Sequence, residues 1–203
     1  MGNLKEVLGK YLPAGSVDYA HDLLWKYGIQ LHIKKPRTTK FGDYRYPKPG
    51  EPHRISVNNN LNPYAFLVTF LHEAAHLVNF EKRGRHNIRP HGKEWKLEFR
   101  EIATPVLNKE FLPEPVLFAL DGYLKNPAAS SCTDPKLFRT LKKYDLQQDN
   151  KLMVEEVPME GNFKTKDGRV FRKVEKLRSR YRCIELSTKK TYLVPGLMEV
   201  ELV

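Results

Sequence analysis

The sequence predicts an α+β fold: a helical domain with a small sheet over residues 1–126, a linker carrying a short helix over 127–150, and a small antiparallel β module over 151–203. Three observations predict it. A run of strand-like alternation ends at Asn58, and a long apolar stretch with helical spacing follows a strong start signal at Asn62-Pro63. From about Leu152 the texture changes to short alternating runs broken by Gly, Asp and Pro, the pattern of hairpin-linked strands.

Taken in order, "LKEVLGKYL" (4–12) is a short helix stopped by Pro13, and Ser16 is placed to cap a helix over Val17–Tyr27 that ends at Gly28. "IQLHIKK" (29–35), "FGDYRYP" (41–47) and "HRISVN" (53–58) read as strands, the last two joined by the Pro/Gly turn "PKPGEP". Asn62 as N-cap and Pro63 at the first helical position start a helix expected to run to about Glu81. "RGRHNIRPHG" (83–92) reads as a loop. Residues 93–107 resume the helical period, with Trp95, Phe99, Ile102, Ala103 and Val106 on one face. Further short helices are expected over 114–126 and 135–144, separated by the small-residue stretch Asn126 to Asp134. In the last module "KDG" is a hairpin signal.

The helix over 63–81 contains "FLHEAAHLVNF". Residues four apart on a helix project from one face, so His72 and His76 can aim at one point, and Glu73 lies close enough to reach a water there. Two zinc ligands and a carboxylate general base are the chemical content of H-E-x-x-H. Ala74 and Ala75 leave room for an ion. The rest of the helix is apolar, and two histidines and a glutamate are costly to bury without partners, so a metal would satisfy them.

Catalytic zinc takes three protein ligands and an open fourth position. The metzincin spacing would put the third histidine six residues after the second, where Lys82 stands, which excludes that pattern. His86, His91, Glu94 and Glu98 remain. Glu98 would give a two-His, one-Glu site; His91 is favoured, because a hairpin of two helices would return it over the first, with Gly92 permitting a close backbone approach or an unusual turn.

"HEAAH", fourteen intervening residues and then "HGKEW" resemble the SprT-like (Spartan-type) metalloproteases, in which HExxH is followed by an HG-x-x-aromatic segment supplying the third histidine. "RISVNNNLNPYAFLVTFLHEAAHLV" resembles that family's strand and helix leading into the metal site. The resemblance covers about Ser16 to Leu107. It implies a zincin-like metalloprotease domain, a Zn2+ cofactor held by His72, His76 and His91, and Glu73 as the catalytic residue. The chain departs from the family in one respect. Its two cysteines, Cys132 and Cys183, cannot make a four-cysteine zinc ribbon, so the C-terminal module must fold on apolar pairs such as Phe163, Phe171, Ile184 and Val194.

The net charge of +11 favours polyanionic partners. Between Phe163 and Lys190 eleven Lys/Arg face three acidic residues. Strand alternation is expected to put Arg178, Arg180 and Arg182 on one face, where phosphates would neutralise them, with Phe163, Phe171, Tyr181 and Tyr192 available to stack on unpaired bases. Arg83 and Arg85, with Lys82 and Arg89, form a second basic patch between the zinc ligands.

Together these readings point to a zinc-dependent endopeptidase, a hydrolase of the HExxH type, with Glu73 as general base on a zinc-bound water. The resemblance implies protein substrates held on DNA, such as DNA–protein crosslinks, and hence DNA repair. The alternative is a non-catalytic nucleic-acid-binding protein with a structural zinc. Tyr44, Arg45 and Tyr64 are all candidates for an oxyanion donor, and nothing in the sequence separates them. No apolar run reaches the length of a membrane span, and the charged N-terminus fits neither a signal peptide nor a myristoylation motif, with Glu6 at its Ser/Thr position. A cytoplasmic protein, with DNA as a partner (single-stranded DNA included) and no membrane, is expected.

Overall fold

Asn62 and Pro63 do start the central helix. In the computed structural model, which describes residues 4–37, 39–84, 89–128, 134–145 and 151–203, the Asn62 side chain accepts from the main-chain N–H groups of Tyr64 and Ala65 at 3.1 and 3.0 Å. That caps α3, Pro63–Arg83, a helix buried through its middle except at His76, which is half-buried. It ends at Arg83, capped by Gly84, two residues later than the sequence suggests.

Two short helices precede it, α1 (Leu4–Gly9) and α2 (Val17–Lys26). Ser16 does not cap α2 as expected: its hydroxyl turns back to donate to the Pro13 carbonyl at 2.8 Å. Gly28 closes the helix with φ 58°, the left-handed conformation glycine accepts most easily. The strands are β1 (Ile29–Lys34), β2 (Gly42–Arg45) and β3 (His53–Asn58). They form a sheet of order β1-β3-β2, with β1 parallel and β2 antiparallel to β3. The central strand buries Ile55 and Val57 against the helices, and β2 is an edge.

Helix α4 (Lys93–Ala103) follows the loop after α3, with Trp95, Phe99, Ile102 and Ala103 buried as their spacing requires. Helices α5 (Glu114–Leu124) and α6 (Pro135–Lys142) complete this part. Leu137 and Leu141 of α6 join the same core as α3 and β3, so this helix, expected in a linker, is packed. Asn62 reaches it too, donating to the Leu141 carbonyl at 2.9 Å and to Asp145 at 2.7 Å.

The chain divides into two units, Met1–Leu146 and Gln147–Val203. The second is a six-stranded antiparallel sheet of β4 (Lys151–Met153), β5 (Asn162–Lys164), β6 (Val170–Lys176), β7 (Arg180–Glu185), β8 (Thr191–Pro195) and β9 (Glu199–Leu202), in the order β4-β9-β5-β6-β7-β8. Gly168, with φ 86°, makes the turn between β5 and β6. The architecture is therefore α+β, with helices and small sheets. Among the described residues no helix is long and apolar enough to cross a membrane.

Candidate metal centre

One turn of α3 separates His72 from His76, and His91 comes back over them from the start of α4. The three Nε2 atoms face one another: His76 to His91 at 3.0 Å and His91 to His72 at 3.3 Å. Among the described residues this is the one cluster of three groups able to hold a metal ion. Nitrogens held about 2.0–2.1 Å from a tetrahedral zinc would stand about 3.3 Å apart, so the spacing fits such an ion.

The protonation states fit as well. Burial first, then the neighbouring rings, holds His72 well below its ordinary pKa. Burial and His91 push His76 down to about 3, and burial lowers His91. All three are neutral at physiological pH, as metal ligands must be. His72 Nδ1 is buried with no hydrogen-bond partner among the described residues, which leaves Nε2, turned to the other two rings, as the atom this histidine offers to an ion.

His91 reaches its place through strained backbone. Its φ is 56°, a region that non-glycine residues rarely occupy and that recurs at functional sites. The unusual turn thus falls on the histidine and not on Gly92, whose backbone is extended. Gly92 supplies the close approach: a Cβ there would lie 3.0 Å from the Arg89 carbonyl oxygen. Behind the cluster lies Trp95, fully buried, its ring 4.7 Å from His72, 5.2 Å from His76 and 4.7 Å from His91, centroid to centroid. Sequence reasoning gave Trp95 only a core role; the aromatic of "HGKEW" was the signal that it also backs the ligands.

Glu98, the rival third ligand, is turned elsewhere. It is 2% exposed, accepting from Lys82 Nζ at 2.6 Å and Arg83 at 2.8 Å. Glu94 is exposed, and His86 lies outside the described residues, as do Arg85 and Cys132.

Glu73 stands beside the cluster on the floor of a cleft of about 390 Å³ whose walls include Lys40, Tyr44, Tyr46 and Pro90. Burial, then the Asp43 carboxylate, raises its pKa to about 7, against the opposing pull of the Tyr44 main-chain N–H, Lys40 and Arg37. A carboxyl poised there can both take and return a proton near neutral pH. Of the oxyanion candidates, Tyr44 lines the cleft with its hydroxyl 2.9 Å from His53 Nδ1. Arg45 is exposed and pairs with Asp43, and Tyr64 packs edge-on against Tyr144.

The sequence model of the SprT-like family matches residues 18–113, just under half of the chain. Over this segment the chain is similar to the SprT-like family. Neither a curated protein nor a solved structure matches the chain. The family is associated with metalloprotease-like activity, and the SprT-like segment contains all three histidines, Glu73 and the β2 wall of the cleft.

The basic residues fall into three groups. Arg180 and Arg182 are exposed and alternate with buried Tyr181 and Cys183, as strand spacing predicts. Arg178 lies in the bend before β7 and not on the strand face, because β7 starts two residues later. Arg83 and Lys82 are at the end of α3, turned to Glu98. The expected stacking aromatics are largely inside: Phe163, Phe171 and Tyr181 are buried in the module's core and Tyr192 packs against it. Burial of Phe163, Phe171 and Tyr181 removes those three as base-stacking platforms.

Proposed function

We propose that this protein is a zinc-dependent endopeptidase of the HExxH type that acts on protein near nucleic acid, DNA-bound or DNA-crosslinked protein included. The observation that carries the reading is a general base in an open cleft beside the ligand cluster. A zinc that only stapled helices together would need neither Glu73 nor the cleft. His72, His76 and His91 would hold the ion. When bound, zinc supplies Lewis-acid polarisation of a carbonyl and acidifies water. Glu73 takes a proton from the water that attacks the peptide carbonyl. As the tetrahedral intermediate collapses, Glu73 returns that proton to the leaving amine. The β2 wall orients Glu73 through the Tyr44 main-chain N–H, and burial excludes competing solvent from the carboxylate. Of the exposed basic strand residues, Arg182 already pairs with Glu175, so nucleic acid would lie chiefly on Arg180, neutralising its charge and releasing counterions.

The test compares wild type, Glu73→Gln and His91→Ala in zinc content and in cleavage of casein or a crosslinked protein, with and without single-stranded DNA. Glu73→Gln is expected to keep stoichiometric zinc and DNA affinity and to lose cleavage by about 10²-fold or more, while His91→Ala loses zinc. Cleavage unchanged in Glu73→Gln would favour a nucleic-acid-binding protein with structural zinc.

A further inference from the structure

We propose that Gly42 is a positioning residue for Glu73: its missing side chain is the space in which the glutamate's carboxylate lies against β2. The inference rests on the proposed role of Glu73. α3 crosses the edge strand β2 at this point. A Cβ on Gly42 would stand 2.7 Å from Glu73 Oε1, 2.8 Å from Glu73 Cγ and 2.6 Å from Thr69 Cγ2, distances that real Cβ atoms do not show. Neither neighbour has easy room to yield. Glu73 is 9% exposed and Thr69 4%, and the Thr69 hydroxyl is fixed on the Ala65 carbonyl at 2.7 Å.

The backbone does not require glycine here. Gly42 is not among the residues with positive φ, and it pairs in regular register with Val57. Glycine in a strand loses more entropy on folding than other residues and packs nothing. The requirement is therefore for space, and the space is filled by Glu73. Two residues on, the Tyr44 main-chain N–H acts on the same carboxylate. One short strand thus both vacates a position for the general base and holds it there.

An alanine at this position moves the carboxylate off β2. A misplacement of about 1 Å at a reacting group costs about 10²-fold in rate. Gly42→Ala is expected to lower kcat by about that factor, with KM within about twofold and zinc content equal to wild type. The second measurement uses metal-free protein and no activity. Gly42→Ala lowers Tm, and adding Glu73→Ala relieves that loss more than adding Thr69→Ser does. An unchanged kcat, or relief by Thr69→Ser equal to or larger than that by Glu73→Ala, overturns the inference, since the glycine would then serve ordinary packing. A wild type that cleaves no protein overturns the proposed function; the melting comparison still decides whether Gly42 is shaped around Glu73.

Discussion

At the scale of single residues, Glu98 shows how the fold separates two carboxylates of similar promise. Both Glu73 and Glu98 are buried on helices that frame the cluster, yet their surroundings oppose each other. Burial raises Glu73 with Asp43 adding to it. Burial also disfavours the charge on Glu98, but Lys82 and Arg83 overcome it and hold this carboxyl below the ordinary range. Glu98 is thus an ionised tie between α3 and α4 and does no proton transfer. Glu98→Gln is expected to keep zinc at wild-type stoichiometry and to cost about 1.5–3 kcal/mol in urea unfolding at pH 7, the range for hydrogen bonds to a charged group. A carboxyl depressed in the folded state stabilises above its unfolded pKa and loses that contribution as pH falls through its folded pKa. The gap between wild type and Glu98→Gln should therefore narrow on acidification below about pH 4.5. A variant that loses zinc would make Glu98 a ligand.

At the scale of elements, most helices and strands were legible because their signals are local. Asn62-Pro63 names both a side-chain cap and a preset φ, and Ile55 and Val57 alternate as a strand requires, though Ser56 and Asn58 on the other face are buried as well. What was not legible depends on partners distant in sequence. The parallel pairing of β1 with β3 requires β2 to be skipped, and no residue in β1 announces that. Ser16 has the composition of a cap, but its hydroxyl finds the Pro13 carbonyl instead. In the site, His72, Glu73 and His76 were readable from helix geometry, and His91 from its place before Gly92 at the end of the loop and from the family resemblance. Gly42 was not, because its importance lies in an atom it lacks, opposite a helix 27 positions away at its nearest contact, Thr69. Asn62 does more than its motif suggests, joining the start of α3 to the end of α6. Asn62→Ala should cost about 1 kcal/mol for the cap and at least as much again for the orphaned Leu141 carbonyl. Asn62→Ser keeps a capping oxygen while losing both bonds to the end of α6, and should fall between wild type and Asn62→Ala. Urea unfolding measures both, and zinc content of the folded protein stays at wild type because the cluster lies several turns down the helix.

At the scale of the whole molecule, the second unit carries a single cysteine and so cannot form the four-cysteine zinc site of the family's ribbon. Its one cysteine, Cys183, is buried, and burial pushes its thiol up to about 11 against the pull of Lys173; a neutral thiol is a poor ligand. The cation inside this sheet is an ammonium. Lys173 is 3% exposed and lies opposite Cys183 in the β6–β7 ladder. Its Nζ donates to the carbonyls of Glu155 and Val157 and sits 4.1 Å from the centroid of the Tyr181 ring. Those bonds fasten the turn after β4 to the middle of the sheet, around the apolar core of Val154, Val157, Phe163, Phe171 and Val200. The sequence counted Lys173 with the surface charge; burial assigns it to the interior. The module's stability should then depend on Lys173 and be indifferent to chelation. Hydrogen exchange of the β6 and β7 amides, read by mass spectrometry in the intact chain, is expected to be unchanged by a chelator that strips the His72–His76–His91 cluster. Lys173→Ala should accelerate it by about 10-fold or more, since leaving the buried Val157 carbonyl unpaired costs about 1–3 kcal/mol and the part-buried Glu155 carbonyl loses its partner too. Cys183→Ala should have the smaller effect of a lost small apolar side chain, with zinc still at one per chain. Loss of β6–β7 protection on chelation would place a second metal in this unit and reverse the argument.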